Sequence, residues 1–522
     1  MPRSSLRGMI GLQEQESIMV KEDYESLKTG ENIRKSLIAL KQGLKQEQGK
    51  QELLKHLQGD YSLLLGLLHH EEPKVRGNAA VVLGRLSQDG FAAPLYQAYQ
   101  GEEKLFIKSK YLLALASMDC SGFRPQLEQR LRELEQYQPP AEEEKHIREE
   151  LKALRDLLHT SQRHQRHKFQ GYDGTYDLIL TTGKLHQEVT ARQVKNGKAT
   201  VLKRGVRVVT GDIGQILDIR TYRELLFSLD VKKLEPDPKL AAKALAASNL
   251  LGLLEQAHKS EGSFYFRLGL QSRMPLDKRS DFAKKCAFAL EQESGRRLYN
   301  STSSYEVEIR LIEGREGTFL PLVKLFTFEK DRFAYRKHKV AASIRPEQAA
   351  LAAHLASPYL EKWAHVLDPF CGVGTMLIER DKVCPTRVMY GIDTFGVAID
   401  GAWENTRLAG KEVNYIQRDF FSFRHEYQFE EIFTNMPDRG QKSREEHDMF
   451  YGRFFRKASE VLAADGKMVL YSNEKNFIKK QLRVHREFAL LQEYSMDEKG
   501  NYCLFIIGKK KDAMVMEQSE AV

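Results

Sequence analysis

Acidic and amide side chains stand at or just beyond the ends of four short apolar runs in the last third of the chain. Asp368 closes VLD, Asp393 closes VMYGID, Asp419 closes VNYIQRD, and Asn435 with Pro437 closes EEIFTNMP. Between the first run and a helical pattern opening at Thr375 lie Phe370, Cys371, Gly372 and Gly374, a tight turn whose glycines let the backbone approach a ligand that a Cβ would exclude. A strand feeding such a turn and then a helix is how an α/β sheet builds a nucleotide-type pocket at the carboxyl ends of its strands. The turn lacks the Lys-Ser/Thr ending of a phosphate loop and is not GxGxxG, which counts against nucleoside triphosphates and dinucleotides. Asp393, 25 residues after Asp368, is placed to accept hydrogen bonds from a ribose diol. Strands that all end on polar or turn residues gather those groups along one sheet edge, where open α/β sheets keep their active sites.

The elements that must hold these residues continue downstream. RFFRKASEVLAADGKMVLYS reads as an amphipathic helix, a glycine turn and a fifth strand, and EYSMDEKGNYCLFIIG as a closing antiparallel hairpin. Upstream, from Asp177, DLILTTG reads as a strand, KATVLKRGVRVVTGDI as two β-rich runs around a glycine, and TYRELLFSL as an amphipathic helix. GSFYFRLGLQSR reads as a strand, DKRSDFAKKCAFALEQESG as a helix with a glycine stop, and SYEVEIRLIEGREGTFLPLVKL as a hairpin. From about Glu31 to Gln138 the pattern is all helical. Leu63, Leu64, Leu67 and Leu68 form one apolar stripe, Pro73 opens the next helix, and Ala79, Ala80, Val82, Leu83 and Leu86 form a second stripe. FAAPLYQAYQGEEKLFIKSKYLLALASM repeats the plan more loosely, so stacked helix pairs are expected, with an ordinary helical bundle as the alternative. A charged helix, AEEEKHIREELKALRDLL, and the polar run HTSQRHQRHKFQGYDGTYD follow. His159, His164 and His167 in that run are read as part of a basic linker rather than as metal ligands.

Taken together, DPFCGVGT, then GID with Asn405 and Gly410 downstream in AWENTRLAG, then RDFF and TNMP, resemble the THUMP-containing class I S-adenosylmethionine-dependent RNA methyltransferases. The resemblance covers about residues 175 to 510. It implies a central α+β ferredoxin-like/THUMP module in 166–335 and a C-terminal Rossmann-like methyltransferase domain with a seven-stranded mixed sheet in 336–510, followed by a flexible tail in 511–522. Residues 1–165, outside that resemblance, are similar to HEAT repeats in their paired helices and are expected to form an N-terminal all-α, HEAT-like solenoid. The cofactor implied by the methyltransferase resemblance is S-adenosylmethionine, with Asp368, Gly372 and Gly374 on its methionine side, Asp393 on the ribose and Asp419 on the adenine amine; Phe370, Cys371, Thr375 and Asn435 belong to the same pocket, and Ser343, Arg345 and Pro346 cap a helix over it. The implied reaction is methylation of an exocyclic base amine, guanine N2 of tRNA or rRNA, with adenine N6 and a catalytically degenerate RNA-binding scaffold as the alternatives. Asn435, Pro437 and Asp438 form the implied catalytic end, and Asp438 stands where the family carries an aromatic that stacks on the base. Phe433, Phe450, Tyr451 and Arg439 are the nearest substitutes for that platform. Arg267, Arg273, Lys278, Arg279, Lys284, Lys285, Arg296 and Arg297 are expected to grip RNA phosphates.

Composition bounds these expectations. A chain of 522 residues exceeds one core and makes roughly three domains of about 150 residues each. The net charge of +9, from 81 basic and 72 acidic residues, favours a polyanionic partner such as RNA. Five cysteines, at 120, 286, 371, 384 and 503, show no CxxC spacing, which fits a reducing compartment without structural zinc. The absence of a secretory h-region and of an apolar run of eighteen points to a cytoplasmic protein with no membrane partner. A protein partner on the helical repeats is a further expectation, and oligomeric state is not legible.

Overall fold

The computed structural model describes residues 20–510 except 31, 162–166, 260–262, 303, 315 and 342. The His164 expectation and the 511–522 tail, as well as the His159 side chain, lie outside the described residues. The chain divides into two compact units, 1–166 and 167–522. No helix among the described residues is long and apolar enough to cross a membrane.

The first unit is helical. Helices Ile33–Gly43, Pro73–Leu86, Leu105–Leu115 and Glu144–Ser161 pack in succession, each against the next, while Ala92–Gly101 and Arg124–Gln136 pack beside the third and fourth. Pro73 starts its helix at the first turn, where its missing N–H costs nothing. Leu64, Leu67 and Leu68 are buried as the stripe requires, and Leu63 is half-buried. Gly84 allows the second and third of these helices to touch, since a Cβ there would stand 2.6 Å from Ala114 Cα. The charged helix is anchored by Glu150, which is fully buried and accepts from Tyr99 Oη at 2.7 Å and Arg130 Nε at 3.1 Å.

The second unit holds two sheets. Strands β1 (Tyr176–Thr181), β2 (Lys198–Leu202), β3 (Gly205–Thr210), β4 (Glu224–Ser228), β5 (Phe264–Gln271), β6 (Leu298–Asn300), β7 (Val307–Glu313) and β8 (Phe319–Leu325) form one continuous eight-stranded sheet in the order β2-β3-β1-β4-β8-β7-β5-β6. The expected helix at TYRELLFSL is instead strand β4, a correction with a clear cause. It lies between β1 and β8 in mid-sheet, so Leu225, Leu226 and Phe227 are all buried and the run lacks the alternation that marks a half-exposed strand.

The second sheet comprises β9 (His365–Asp368), β10 (Val388–Asp393), β11 (Asn414–Gln417), β12 (Phe429–Asn435), β13 (Leu462–Ser472), β14 (Phe488–Ser495) and β15 (Cys503–Lys509) in the order β11-β10-β9-β12-β13-β15-β14. The first five run parallel and β15 is antiparallel to both its neighbours. The strand order reverses between β9 and β12, which is where such sheets open a crevice. The two sheets are tied at Arg220, whose guanidinium grips fully buried Glu379 at 2.7 Å through both Nε and Nη2. Tyr335 Oη donates to the same carboxylate at 2.6 Å. Glu379 lies on helix Thr375–Val383, so this cluster orients the helix that follows the glycine turn.

Candidate active site

A cavity of 510 Å³ opens at the carboxyl ends of β9, β10 and β12 and is lined by Ser343, Asp368, Phe370, Cys371, Gly372, Thr375, Asp393, Asp419, Asn435, Pro437 and Asp438, among others. Each acidic residue is held differently. Asp393 accepts the Gly372 N–H on one oxygen and the Phe395 N–H on the other, both at 2.9 Å, which fixes the carboxylate at the tip of β10. Asp419 lies two residues beyond the end of β11 and caps the short turn Phe420–Ser422 by accepting from Phe421 N at 3.0 Å. Asp368 is fully buried; one oxygen accepts from Phe370 N at 3.1 Å and the other has no hydrogen-bond partner. Burial pushes its carboxyl up to about 7, against the pull of the Phe370 N–H, while the charge of Asp393 adds to the rise. Thr375 Oγ1, also buried at the wall, is likewise without a partner.

A carboxyl whose folded pKa is raised lends stability that is fully present below about pH 4, the ordinary carboxylate value, and lost as pH rises to about 7. We therefore expect the melting temperature of Asp368→Asn, relative to the parent, to climb between about pH 4 and 7 and level off above. Melts across that range check it, and a constant difference would refute the buried-acid assignment.

The glycines divide the work. Gly372, at φ +51°, lines the cavity, and a Cβ there would meet nothing within 4 Å. Gly374, at φ +80°, is required by packing: a Cβ would fall 2.1 Å from Tyr415 Oη. Ligand approach, the sequence-based reason for both glycines, thus gives way at Gly374 to a ring that packs over the turn. We expect Gly374→Ala to cost about 2–4 kcal/mol of unfolding free energy, from the left-handed backbone and the clash together. In a Tyr415→Phe background the same change is expected to cost less, which a denaturant double-mutant cycle measures.

Asn405 is the residue whose role sequence reasoning left unstated. It is fully buried; its Oδ1 accepts from His338 N at 3.0 Å, and its Nδ2 donates to His338 O at 3.1 Å and Val373 O at 3.2 Å. One amide thus joins the segment before the helix at 346 to the glycine turn.

The β12 end completes the cavity. The Asn435 carboxamide makes no hydrogen bond to a described residue, and Met436 N donates to Tyr471 O at 2.9 Å. Asp438 Oδ1 accepts from Asn473 Nδ2 at 2.9 Å and lies 3.4 Å from Tyr502 Oη. Four parallel strand ends that present a fixed carboxylate, a buried acid with a vacant acceptor and an unbonded carboxamide define a class of site, and the sequence matches name it. Residues 334–501 match the family model described as RMKL-like, methyltransferase domain. Residues 334–501 form a methyltransferase domain similar to that family. Over 79 residues the chain is 37% identical to the Homo sapiens U6 snRNA (guanine-N(2))-methyltransferase THUMPD2, and the matched stretch covers 15% of this chain and only 15% of that protein. The Bos taurus counterpart is 38% identical over 77 residues, again 15% of each chain. The fold is shared with TrmN from Thermus thermophilus, at a TM-score of 0.51 and 21% identity over 65% of this chain and 100% of that one. It is shared too with SMU.472 complexed with SAH, at a TM-score of 0.50 and 14% identity over 65% and 99%.

The cofactor of a class I methyltransferase domain is S-adenosylmethionine, and the residues present fit it. The unpartnered oxygens of Asp368 and Thr375 are acceptors awaiting a polar ligand, and Asp393 keeps spare lone pairs for a diol. Phe370, Phe420 and Phe421 supply an aromatic wall. Two residues expected over the pocket do not line it: Arg345 pairs with Glu347 at 3.3 Å, and Pro346 is buried at the first turn of the helix Pro346–Ala356. That helix has no side-chain cap; Ser343 lines the cavity and accepts from Val340 N at 2.9 Å instead.

The methyltransferase domain also sorts the stacking candidates. Phe433 and Tyr451 are fully buried in the core and cannot reach a base, and Arg439 is exposed but does not line the cavity. Phe450 does line it. Of the cations assigned to RNA, Arg267 pairs with Glu308, Arg273 with Glu313 at 3.0 Å, Lys285 with Asp281 at 2.8 Å and Arg297 with Glu255 at 2.6 Å. Lys278 and Lys284 are exposed on helix Leu276–Glu293, and Arg279 and Arg296 are half-buried. His167 belongs to the fold, since its Nδ1 lies 2.8 Å from Glu306 Oε1.

Proposed function

We propose that the chain methylates an exocyclic amine of a base in RNA, guanine N2, using S-adenosylmethionine. The observation that carries this reading is Asn435: its unbonded carboxamide stands beside Pro437 on the same cavity as Asp368, Asp393 and Asp419. S-adenosylmethionine, when bound, supplies an electrophilic methyl group on a sulfonium. The protein's part is alignment. Asn435 Oδ1 accepts a hydrogen bond from the target amine and turns its lone pair toward the methyl; the rigid β12 end holds that acceptor in place. Asp393 binds the ribose and Asp419 faces the adenine amine, while Ser343, Phe370, Cys371, Gly372 and Thr375 shape the wall. Phe370, Phe421 and Phe450, with ring centroids 5.4–5.6 Å apart across Phe450, keep water from the transfer.

Guanine N2 is preferred because the curated relatives are named for that position, although the match spans a small part of them. Adenine N6 is the runner-up, since an Asn-x-Pro ending serves both amines. The eight-stranded domain is assigned as the ferredoxin-like/THUMP module, with Lys278, Arg279 and Lys284 as phosphate contacts. The helical unit is assigned as a HEAT-like solenoid that adds RNA or protein contacts. Full-length protein incubated with labelled S-adenosylmethionine and RNA from a source strain lacking the gene is expected to transfer label. No label, while a related active enzyme labels the same RNA, would leave a binding protein with a retired site.

A further inference from the structure

Resting on the methyl-transfer reading above, we infer that Asp438 selects the target base, its carboxylate accepting hydrogen bonds from the adjacent N1–H and N2–H of guanine. Asp438 follows the β12 end by three residues and lines the cavity with Asn435 and Pro437. It is anchored from two other strand connections. Asn473, just after β13, donates to Oδ1 at 2.9 Å, and the hydroxyl of Tyr502, between β14 and β15, lies 3.4 Å from the same oxygen. Tyr502 is in turn stacked on Tyr471, with ring centroids 5.3 Å apart and planes 25° apart. The second oxygen, Oδ2, makes no hydrogen bond to a described residue. One oxygen is therefore fixed and the other is open, on a wall shared with the carboxamide that orients the amine.

A carboxylate only accepts hydrogen bonds. Guanine presents two neighbouring donors on its Watson–Crick edge, N1–H and N2–H, and both can be met. Adenine presents an amine beside the N1 lone pair, which would face a negative charge with no proton between them. Where the family carries a ring that stacks on any base, this chain places a group that reads the edge, and Phe450 on the same cavity offers a ring for stacking. A site built to bond a substrate N–H rejects the analogue lacking it by about 10⁴–10⁵-fold when enclosed. Asp438 is solvent-exposed, so a ratio of about 10²-fold is expected.

The test uses RNA in which the target guanine is replaced by 2-aminopurine, which keeps the exocyclic amine but carries an acceptor at N1. The full-length protein is expected to favour guanine by about 10²-fold in kcat/KM. Asp438→Asn, whose carboxamide can turn a donor toward N1, is expected to bring the two substrates within about tenfold, chiefly through KM, with SAH affinity unchanged. Asn473→Ala, which loosens the anchor while keeping the charge, is expected to lower the ratio severalfold. An unchanged ratio in Asp438→Asn with intact SAH affinity would overturn the assignment, as would a parent protein that methylates 2-aminopurine as well as guanine. A parent protein that methylates neither substrate overturns the methyl-transfer reading itself, and this inference with it.

Discussion

Replacing Asn435 with Ala is expected to lower kcat by about 10²–10³-fold, equivalent to about 3–4 kcal/mol, while changing SAH affinity far less. Removal of one preorganised group aimed at the reacting centre typically has that effect. Asn435 makes no hydrogen bond to a described residue, so truncating it leaves no broken internal bond and the loss falls on the reaction. Its backbone stays in the parallel pairing with Tyr471 on β13, which keeps the strand end in place. Single-turnover kinetics with saturating cofactor measures it. An equal loss in cofactor affinity would assign Asn435 to the cofactor instead.

Asp393→Ala should act on the other side of the cavity, weakening SAH binding by about 10²–10³-fold. Two effects add. The ribose loses a charged acceptor, and the N–H groups of Gly372 and Phe395, bonded at 2.9 Å, lose theirs, so the glycine turn is no longer held in the shape of the cavity. A hydrogen bond to a charged group is worth about 1.5–3 kcal/mol, which puts the sum of the lost contacts in the range stated. Asp393→Asn retains one accepting oxygen and is expected to fall between the two. Calorimetric titration of SAH into the three proteins measures the series; equal affinity in all three would exclude Asp393 from the pocket.

The methyltransferase sheet was largely legible because its strands announce themselves. Each parallel strand is a short apolar run that ends at or near a polar residue, and the order β11-β10-β9-β12-β13-β15-β14 puts those ends on one edge. The misreading at TYRELLFSL has the opposite cause, since β4 is covered on both sides and Leu225, Leu226 and Phe227 carry no period of two. Local pattern also says nothing about which side chain a distant one meets. Gly374 needs its missing Cβ because of Tyr415, and Asp438 is anchored by Asn473 and Tyr502, partners brought close only by sheet order. The same holds within the basic cluster: Arg267 and Glu308 are direct neighbours across β5 and β7, so a cation that stands alone along the chain is ion-paired across the sheet.

The methylated nucleoside itself tests the central claim most directly. RNA from a source strain lacking the gene, treated with the full-length protein and labelled S-adenosylmethionine, digested and resolved by mass spectrometry, is expected to carry the label in N2-methylguanosine, and Asn435→Ala should abolish most of it. Label in N6-methyladenosine would contradict the assignment of guanine and of Asp438 as its reader. No label in any nucleoside, with a related active enzyme labelling the same RNA, would contradict methyl transfer by this cavity altogether.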